Sequence, residues 1–426
     1  MKKRIAIVGT GISGLTCAYM LHKDHDITVF EANDYIGGHT ATKDISIDDI
    51  HYAIDTGFIV FNDWTYPYFN QLMSQIGVNA QPTEMSFSVK NRATALEYNG
   101  NTINSLFAQR RNIFRPRFWR IVRDILRFNK LCKSAEAKTQ AATGITLSEY
   151  IALHGLSDDF SENYILPMCA AIWSMSVEDS KSFPLTFFLN FFNNHGLLNI
   201  TDRPQWYTII GGSSQYIEPL TRDFAHNIKL NSPVTHVTRP SGSEQLQVTY
   251  GTQDAQQTEL FDDVIFACHS DQALGMLAQP TEAQQSVLGN IGYAMNEVVM
   301  HTDTSILPER ELAWASWNYL IKGDENETNQ PATVTYNMNI LQCLQSEHTF
   351  CVTLNNTHEI DPNKILGVYH YAHPQFTPEM VNAQGQREQI CGVDNVHFCG
   401  AYWYNGFHED GVRSAVDVCQ RFGATL

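Results

Sequence analysis

The chain opens on an unbroken apolar run, Ile5-Ala6-Ile7-Val8, rather than on alternating apolar and polar positions. A strand that is apolar at every position is covered on both faces, the pattern of a parallel sheet. Residues 13–23 follow with helical spacing, and 26–31 (DITVFE) read as a second strand. One βαβ unit therefore closes within about thirty residues. Residues 105–140 and 146–200 read as mainly helical and aromatic-rich, with a helix at LSEYIALHG that Gly155 ends. Mixed structure returns between 205 and 280, where 228–239, 245–250 and 262–267 are the strand candidates. The segments 296–302, 333–338 and 349–354 predict strands of another sheet, 396–399 a last short strand and 411–422 a last helix. The polar run 323–331 (GDENETNQP) predicts a mobile loop.

A chain of 426 residues exceeds what one hydrophobic core usually serves, so two domains are expected. Dinucleotide-type features lie at both ends and in the middle, with helical and second-sheet material between them. The expected fold class is α/β plus α+β. A doubly wound nucleotide-binding domain is assembled from 1–85, 205–280 and 390–426. A substrate domain of helices on a mixed sheet uses 86–204 and 281–389. No run of about 18 apolar residues predicts a membrane-spanning helix. The start MKKRIAIVG reads as a strand rather than a signal peptide, which predicts a cytoplasmic protein.

The densest chemical signal is Gly9-Thr10-Gly11-Ile12-Ser13-Gly14. This glycine pattern carries weight because a predicted strand precedes it, a predicted helix follows it, and Glu31 ends the next strand. Gly9 allows the tight turn, Gly11 lets backbone approach a pyrophosphate, and Gly14 lets helix and strand pack closely. The helix N-terminus offers free N–H groups and partial positive charge to the phosphates. Glu31 is placed for the ribose hydroxyls, and its charge disfavours a 2′-phosphate. Gly37-Gly38-His39-Thr40 and Asp55-Thr56-Gly57-Phe58-Ile59 come next as a second glycine-bearing stretch.

These strings, with AAIWSMS, WYTIIGGSSQYI, VIFACHSDQAL, WASWNY and GAYWYNGFHEDGVRSA, resemble the flavin-containing amine oxidase superfamily over nearly the whole chain. The resemblance is strongest to its bacterial amine-oxidase-like oxidoreductase branch, and it implies one FAD, held non-covalently. It places Gly9, Gly11, Ile12, Ser13 and Gly14 at the pyrophosphate and Glu31 at the ribose. Gly38, His39 and Thr40 line the phosphate and ribityl region, and Gly57, Phe58 and Ile59 approach the isoalloxazine. Val234 meets the adenine through its backbone, and Gly400 lies beside the pyrophosphate. Asp410, Gly411 and Val412 open the last helix toward the flavin pyrimidine edge. No Cys stands where a covalent link would form, although His370 and His373 lie close enough to keep that question open.

The same resemblance breaks at the reacting end. Amine oxidases of this type commonly hold a Lys near flavin N5, and that position aligns with Asn296. The two aromatic positions flanking the amine path align with Phe407 and with the region of Tyr371. His408, Glu409, His373, Tyr371 and Tyr402 are the candidate chemical groups, each with an equally ready structural reading. The favoured function is FAD-dependent oxidation, desaturation or reduction of an apolar substrate. The resemblance to a branch linked with bacterial lipid modification makes a fatty-acyl chain the first candidate. The alternatives are an amine oxidase releasing hydrogen peroxide and a non-catalytic, FAD-stabilised partner subunit. No motif specifies the electron partner.

Charge changes the picture in one place. The net charge of −17 argues against nucleic acid as a partner. Yet Arg110–Lys130 holds eight basic residues and one acid, Asp124. After Pro116, charges at 117, 120, 123, 127 and 130 interleave with apolar residues at 118, 121, 122, 125 and 126. That is the composition of an interfacial helix touching the inner membrane face, and equally of a surface helix whose charges pair with acids elsewhere. The nine Cys form no CxxC pair and the His no HxH or HExxH cluster, so buried free thiols and no metal are expected.

Overall fold

The computed structural model describes residues 2–252, 254–323 and 329–426. Most of the loop expected at 323–331 lies outside the described residues. The first strand, Arg4–Val8, lies at the centre of a five-stranded parallel sheet. Its neighbours are Asp26–Phe30 and then Ile228–Lys229 on one side, and Asp263–Phe266 and then Val396–Phe398 on the other. Both faces are covered, as the unbroken apolar run requires. Ile5, Ile7, Ile27, Val29 and Ile265 pack with the first helix, Ile12–Leu21, and the last helix, His408–Gln420. Ala6, Val8, Phe30, Val264 and Phe266 face an antiparallel meander of Val234–Thr238, Leu246–Tyr250 and Gln257–Phe261.

The strand expected over 228–239 is two strands in two sheets. Asn231 takes a φ of +50° between them and Pro233 follows, so no single ladder continues through the segment. The last helix starts at His408, three residues earlier than its spacing indicated.

The other large sheet has seven strands in the order Ile365–Pro374, Tyr293–His301, Cys351–Leu354, Val334–Asn337, Trp317–Ile321, Phe87–Asn91, Leu96–Asn99. Only 317–321 against 87–91 runs parallel. The segment from 103 to 194 is mainly helical; Phe118, Ile121, Ala170 and Ala171 pack on this sheet, and the later helices of the segment pack in the core shared with the parallel sheet. Its longest helix, Pro116–Cys132, begins with Pro at the position where a missing N–H costs nothing. Phe118, Ile121, Phe128 and Cys132 are buried at helical spacing, and Ile125 packs beside them. All nine Cys are free and seven are buried.

A hairpin absent from the sequence reading positions the site. Thr42–Ile47 pairs with Ile50–Asp55 through a two-residue turn, with Asp48 and Asp49 at φ +53° and +61°. Positive φ at both central residues matches the twist of the flanking strands, and Asp tolerates it. Because Thr42 registers with Asp55, residues 39–41 come to lie against 56–58.

Candidate cofactor and active site

The glycine turn is built as its spacing requires. Gly9 has a φ of +105°, and a Cβ on Gly14 would stand 1.9 Å from the Gly9 carbonyl oxygen. Gly11 differs: it is extended, at φ −64° and ψ 174°, and a Cβ there would meet nothing within 4 Å. Nothing in the protein itself demands glycine at 11, so the demand comes from what binds above it. Glu31 is buried at the end of its strand. One carboxylate oxygen accepts the Thr10 N–H at 3.0 Å, and the other accepts from the Asn33 backbone and side chain, each at 2.9 Å. The carboxylate therefore ties the turn to the strand end while lying beside the place of a ribose. Ser232 N–H donates to the Glu31 carbonyl, which brings Val234 to the same edge.

Two helix N-termini meet here. The Ser13 hydroxyl donates to the Gly411 carbonyl at 3.0 Å, and a Cβ on Gly411 would strike Ile12 at 2.6 Å. Val412 is wholly buried in the contact between the two helices, and Gly400 N–H donates to Ser414 Oγ at 2.8 Å. Two sets of free N–H groups, nearly 400 residues apart in the chain, thus converge on one anion-accepting corner. Gly38, at φ +59°, closes on Gly11, and a Cβ on Gly57 would lie 2.1 Å from the His39 carbonyl. Phe58 N–H donates to that carbonyl at 2.9 Å. Gly11, Gly38, His39, Gly57, Phe58 and Ile59 all stay partly accessible and line a recess.

His408 stacks on Phe58 with ring centres 3.7 Å apart. Its Nε2 lies 3.1 Å from Thr40 Oγ1 and 3.0 Å from the Tyr216 hydroxyl, and these two hydroxyls are also bonded to each other. Tyr216 ends the string WYTIIGGSSQY that carries the resemblance, but nothing in the sequence assigned it a role, since a single Tyr there is indistinguishable from core. Removal from water, aided by repulsion from His39, pushes the His408 pKa from 6.5 down to about 3.

Glu409 does not face the recess. Its carboxylate accepts the Tyr68 and Phe69 N–H groups at 3.1 and 2.8 Å, capping the helix Pro67–Ile76. Of the two readings open to Glu409, the geometry gives the structural one, on a helix other than its own. Those free N–H groups belong to a neighbouring helix, and the buried carboxylate satisfies them. Asp410 accepts the Phe407 N–H at 2.9 Å and so caps the last helix. Burial raises both acids, each to about 7.

The opposite wall comes from the seven-stranded sheet. Asn296 pairs across the ladder with Tyr371 and is fully buried. Its Oδ1 accepts from Asn355 Nδ2 at 2.8 Å, and its Nδ2 stands 3.2 Å from His373 Nδ1, which lies 3.2 Å from Ser174 Oγ. The Tyr371 hydroxyl meets Thr56 Oγ1 at 2.9 Å. The period of two along a strand puts Tyr371 and His373 on the recess side. His370 projects to the exposed face toward Glu297 at 3.9 Å, which removes it as a candidate for a covalent flavin link. The His39 ring lies 5.4 Å from Tyr371, 5.8 Å from His373 and 5.9 Å from His269, centre to centre. Desolvation, then mutual repulsion, holds these imidazoles neutral, with His39 lowered to about 3 and His373 to about 4. His39 Nε2 is out of contact with water and has no hydrogen-bond partner.

Beyond this wall the helical segment contributes aromatics. Phe407 stacks on Phe191 with centres 5.3 Å apart, and Phe191 meets Trp173 at 4.8 Å and His195 at 3.9 Å. Tyr402 and Trp403 are buried, and neither the Tyr402 hydroxyl nor the Trp403 indole N–H has a partner. His269 and Ser174 join the site from the strings VIFACHSDQAL and AAIWSMS, which carried the resemblance without giving either residue a role, and Asn355 joins it from outside every such string. No group of three metal-binding side chains stands together among the described residues.

The cradle fits a dinucleotide: an open Gly11, paired helix N-termini, a carboxylate at the strand end and an orphaned imidazole nitrogen in the recess. A parallel nucleotide-type sheet, covered by helices on one face and by an antiparallel meander on the other, beside a second, mixed sheet with its helices, is a two-domain flavoprotein architecture. The chain belongs to the flavin containing amine oxidoreductase family, which matches residues 12–349. It is an FAD-dependent oxidoreductase with the two-domain flavin amine oxidase fold. Among solved structures it is similar to a CLA-producing fatty acid isomerase from P. acnes (14% identity, 99% of this chain and 98% of that one, TM-score 0.68). It is also similar to cyclohexylamine oxidase from Brevibacterium oxydans IH-35A (13% identity, 99% and 100% covered, TM-score 0.66). A shorter likeness, 37% identity over 65 residues, joins it to 4-hydroxybenzoate brominase (decarboxylating) of Marinomonas mediterranea; it spans 15% of this chain and 12% of that protein.

Proposed function

We propose that this oxidoreductase acts on an apolar chain, with a fatty-acyl group as the first candidate, by oxidation, desaturation or reduction. The observation that carries this reading is the uncharged wall formed by Asn355, Asn296, His373 and Ser174. Where the resemblance places a Lys, a fully buried Asn is held in a saturated hydrogen-bond chain, and the imidazoles beside it are neutral. The nearby carboxylates of Glu409 and Asp410 are turned to backbone N–H groups, so neither is free to hold an ammonium ion. Phe407, Phe191 and Trp173 supply an apolar surface next to that wall.

Bound FAD supplies the two-electron chemistry. The chain's own residues orient the substrate and keep water out. Tyr371 and His373 hold protonatable atoms on the strand face that also carries Asn296. The fold shared with a protein named as a fatty acid isomerase agrees with this reading. The fold shared with a cyclohexylamine oxidase supports the second reading, amine oxidation with peroxide release.

The test is anaerobic stopped-flow bleaching of the bound flavin with a panel of amines and a panel of unsaturated acyl phospholipids. Bleaching by the lipids alone is the expected result. Rapid bleaching by a small amine, with prompt reoxidation in air and no lipid response, replaces the first reading by the second.

A further inference from the structure

The one basic stretch of this acidic chain, with the short helix just before it, carries the most exposed large apolar side chains among the described residues. Phe114 is 84% exposed and Ile103 81%, while Ile113, Trp119 and Leu126 are between 42% and 49% exposed. They belong to one place. Trp119 Nε1 donates to the Ile113 carbonyl at 2.8 Å, and the Trp119 ring lies 5.3 Å from Phe107. This gathers Ile113, Phe114 and Trp119 where the turn Arg110–Phe114 enters the helix Pro116–Cys132. Arg110 reaches back to the Asn104 and Phe107 carbonyls, which sets the short helix Ile103–Leu106 beside the same junction. Leu126 follows Trp119 by seven residues, two turns along the same helix face.

The charges divide into two groups. Arg117 and Arg120 are held by Asp159, and Arg123 by Asp124. To that extent this is the ordinary surface helix with paired charges. Arg110, Arg111, Arg115, Arg127 and Lys130 have no acidic partner among the described residues. Uncompensated cations thus border a cluster of water-exposed aromatic and aliphatic side chains. The rest of the chain is more negative than the overall −17.

We propose that this junction docks the protein on an anionic lipid bilayer. Phe114, Ile113, Ile103 and Trp119 enter the boundary between headgroups and acyl chains. Arg110, Arg111, Arg115, Arg127 and Lys130 pair with lipid phosphates. Apolar side chains at that depth with basic residues around them are the chemistry of a peripheral membrane contact. The negative remainder is repelled by the same surface, so docking has one orientation. A nucleic acid would satisfy the cations and leave Phe114 and Ile103 in water. A second copy seated on this face would set like charge against like across a two-fold axis. The reading stands independently of the substrate class proposed above.

The experiment is co-sedimentation of the flavin-loaded protein with vesicles of phosphatidylcholine alone or with one-quarter phosphatidylglycerol. The wild type is compared with Arg115→Gln/Arg127→Gln/Lys130→Gln and with Ile103→Ser/Phe114→Ser. All five positions lie outside the cofactor recess, and flavin absorbance and melting check each fold. The wild type is expected to pellet with the anionic vesicles only. The charge variant should bind roughly a hundredfold more weakly, and the apolar variant at least tenfold more weakly. Wild type left in the supernatant at low salt overturns the proposal. So does an apolar variant that binds as the wild type does while salt abolishes binding, the behaviour of a soluble polyanion partner. A dimer in sedimentation velocity that Ile103→Ser/Phe114→Ser dissociates assigns the patch to a second copy instead.

Discussion

At the scale of single residues, two glycines of one motif answer to different constraints. Gly14 is required by the protein, since a methyl would meet the Gly9 carbonyl oxygen at 1.9 Å. Gly11 is required by the ligand, because its backbone is extended and the space beside it is open. Gly14→Ala is therefore expected to lose roughly 3 kcal/mol or more of stability and to purify poorly folded. Gly11→Ala should melt as the wild-type apoprotein does yet bind FAD at least tenfold more weakly. Melting of the two apoproteins and their flavin occupancy check this; a folded Gly11→Ala with full flavin refutes it. Glu31→Ala should fall between, since Glu31 both faces the ribose position and fastens Thr10 and Asn33. A loss of about 1–3 kcal/mol in cofactor affinity with a smaller fall in melting midpoint is expected.

At the scale of elements, the hairpin Thr42–Ile47 with Ile50–Asp55 delivers His39 and Thr40 to Gly57 and Phe58, and its turn sets the register. A one-residue slip would exchange the two faces of the hairpin and carry Thr42 away from Asp55, whose carboxylate it bonds at 2.6 Å. Asp48 and Asp49 both occupy the left-handed region, where Asn-Gly is favoured. Asp48→Asn/Asp49→Gly is expected to raise the thermal midpoint, by about 0.5–1 kcal/mol of stability, and to retain FAD. Asp48→Val/Asp49→Val should lower it and release flavin sooner on heating, as followed by flavin fluorescence. Equal melting of both variants would show that strand pairing alone holds this register.

At the scale of the whole molecule, burial opposes two sets of ionisable groups. His39, His408, His373 and His195 have folded pKa values of about 3, 3, 4 and 4, below the ordinary 6.5. In each case loss of hydration is the main cause. Their contribution to stability is whole above pH 6.5 and is lost as pH falls, because the unfolded chain takes up the protons. Asp55, Asp410 and Glu409 lie at about 6, 7 and 7, above 3.8, 3.8 and 4.5, again through burial. Their contribution is whole below those ordinary values and is lost as pH rises to about 7. Melting at pH 5 and pH 8 should therefore separate two variants. Relative to His408→Gln, the wild type should lose stability on acidification; relative to Asp410→Asn it should gain. Changes of the same sign in both would refute the assignment. With no Cys at the expected linkage position and His370 turned away, acid precipitation should leave all yellow colour in the supernatant. Colour in the pellet would point to His373, the one candidate on the recess face.

Much of this molecule was determined locally and could be read along the chain. The strand 4–8, the glycine turn and Glu31 follow from burial on both faces and from the backbone a phosphate needs, all within about thirty residues. The helix after Pro116 was equally legible, because a repeat of 3.6 is visible in one dimension. Tertiary structure decided what distance in sequence conceals. It brought Ser13 to Gly411, gave Glu409 to a neighbouring helix, and split 228–239 at Asn231 and Pro233. It chose His373 over His370 by strand face and joined Asn355, Asn296 and Ser174 into one uncharged wall. A polar side chain's role depends on what burial leaves unsatisfied around it, and those partners lie on other elements. The chain order therefore specifies the cofactor, while packing specifies which side chains gather around its place.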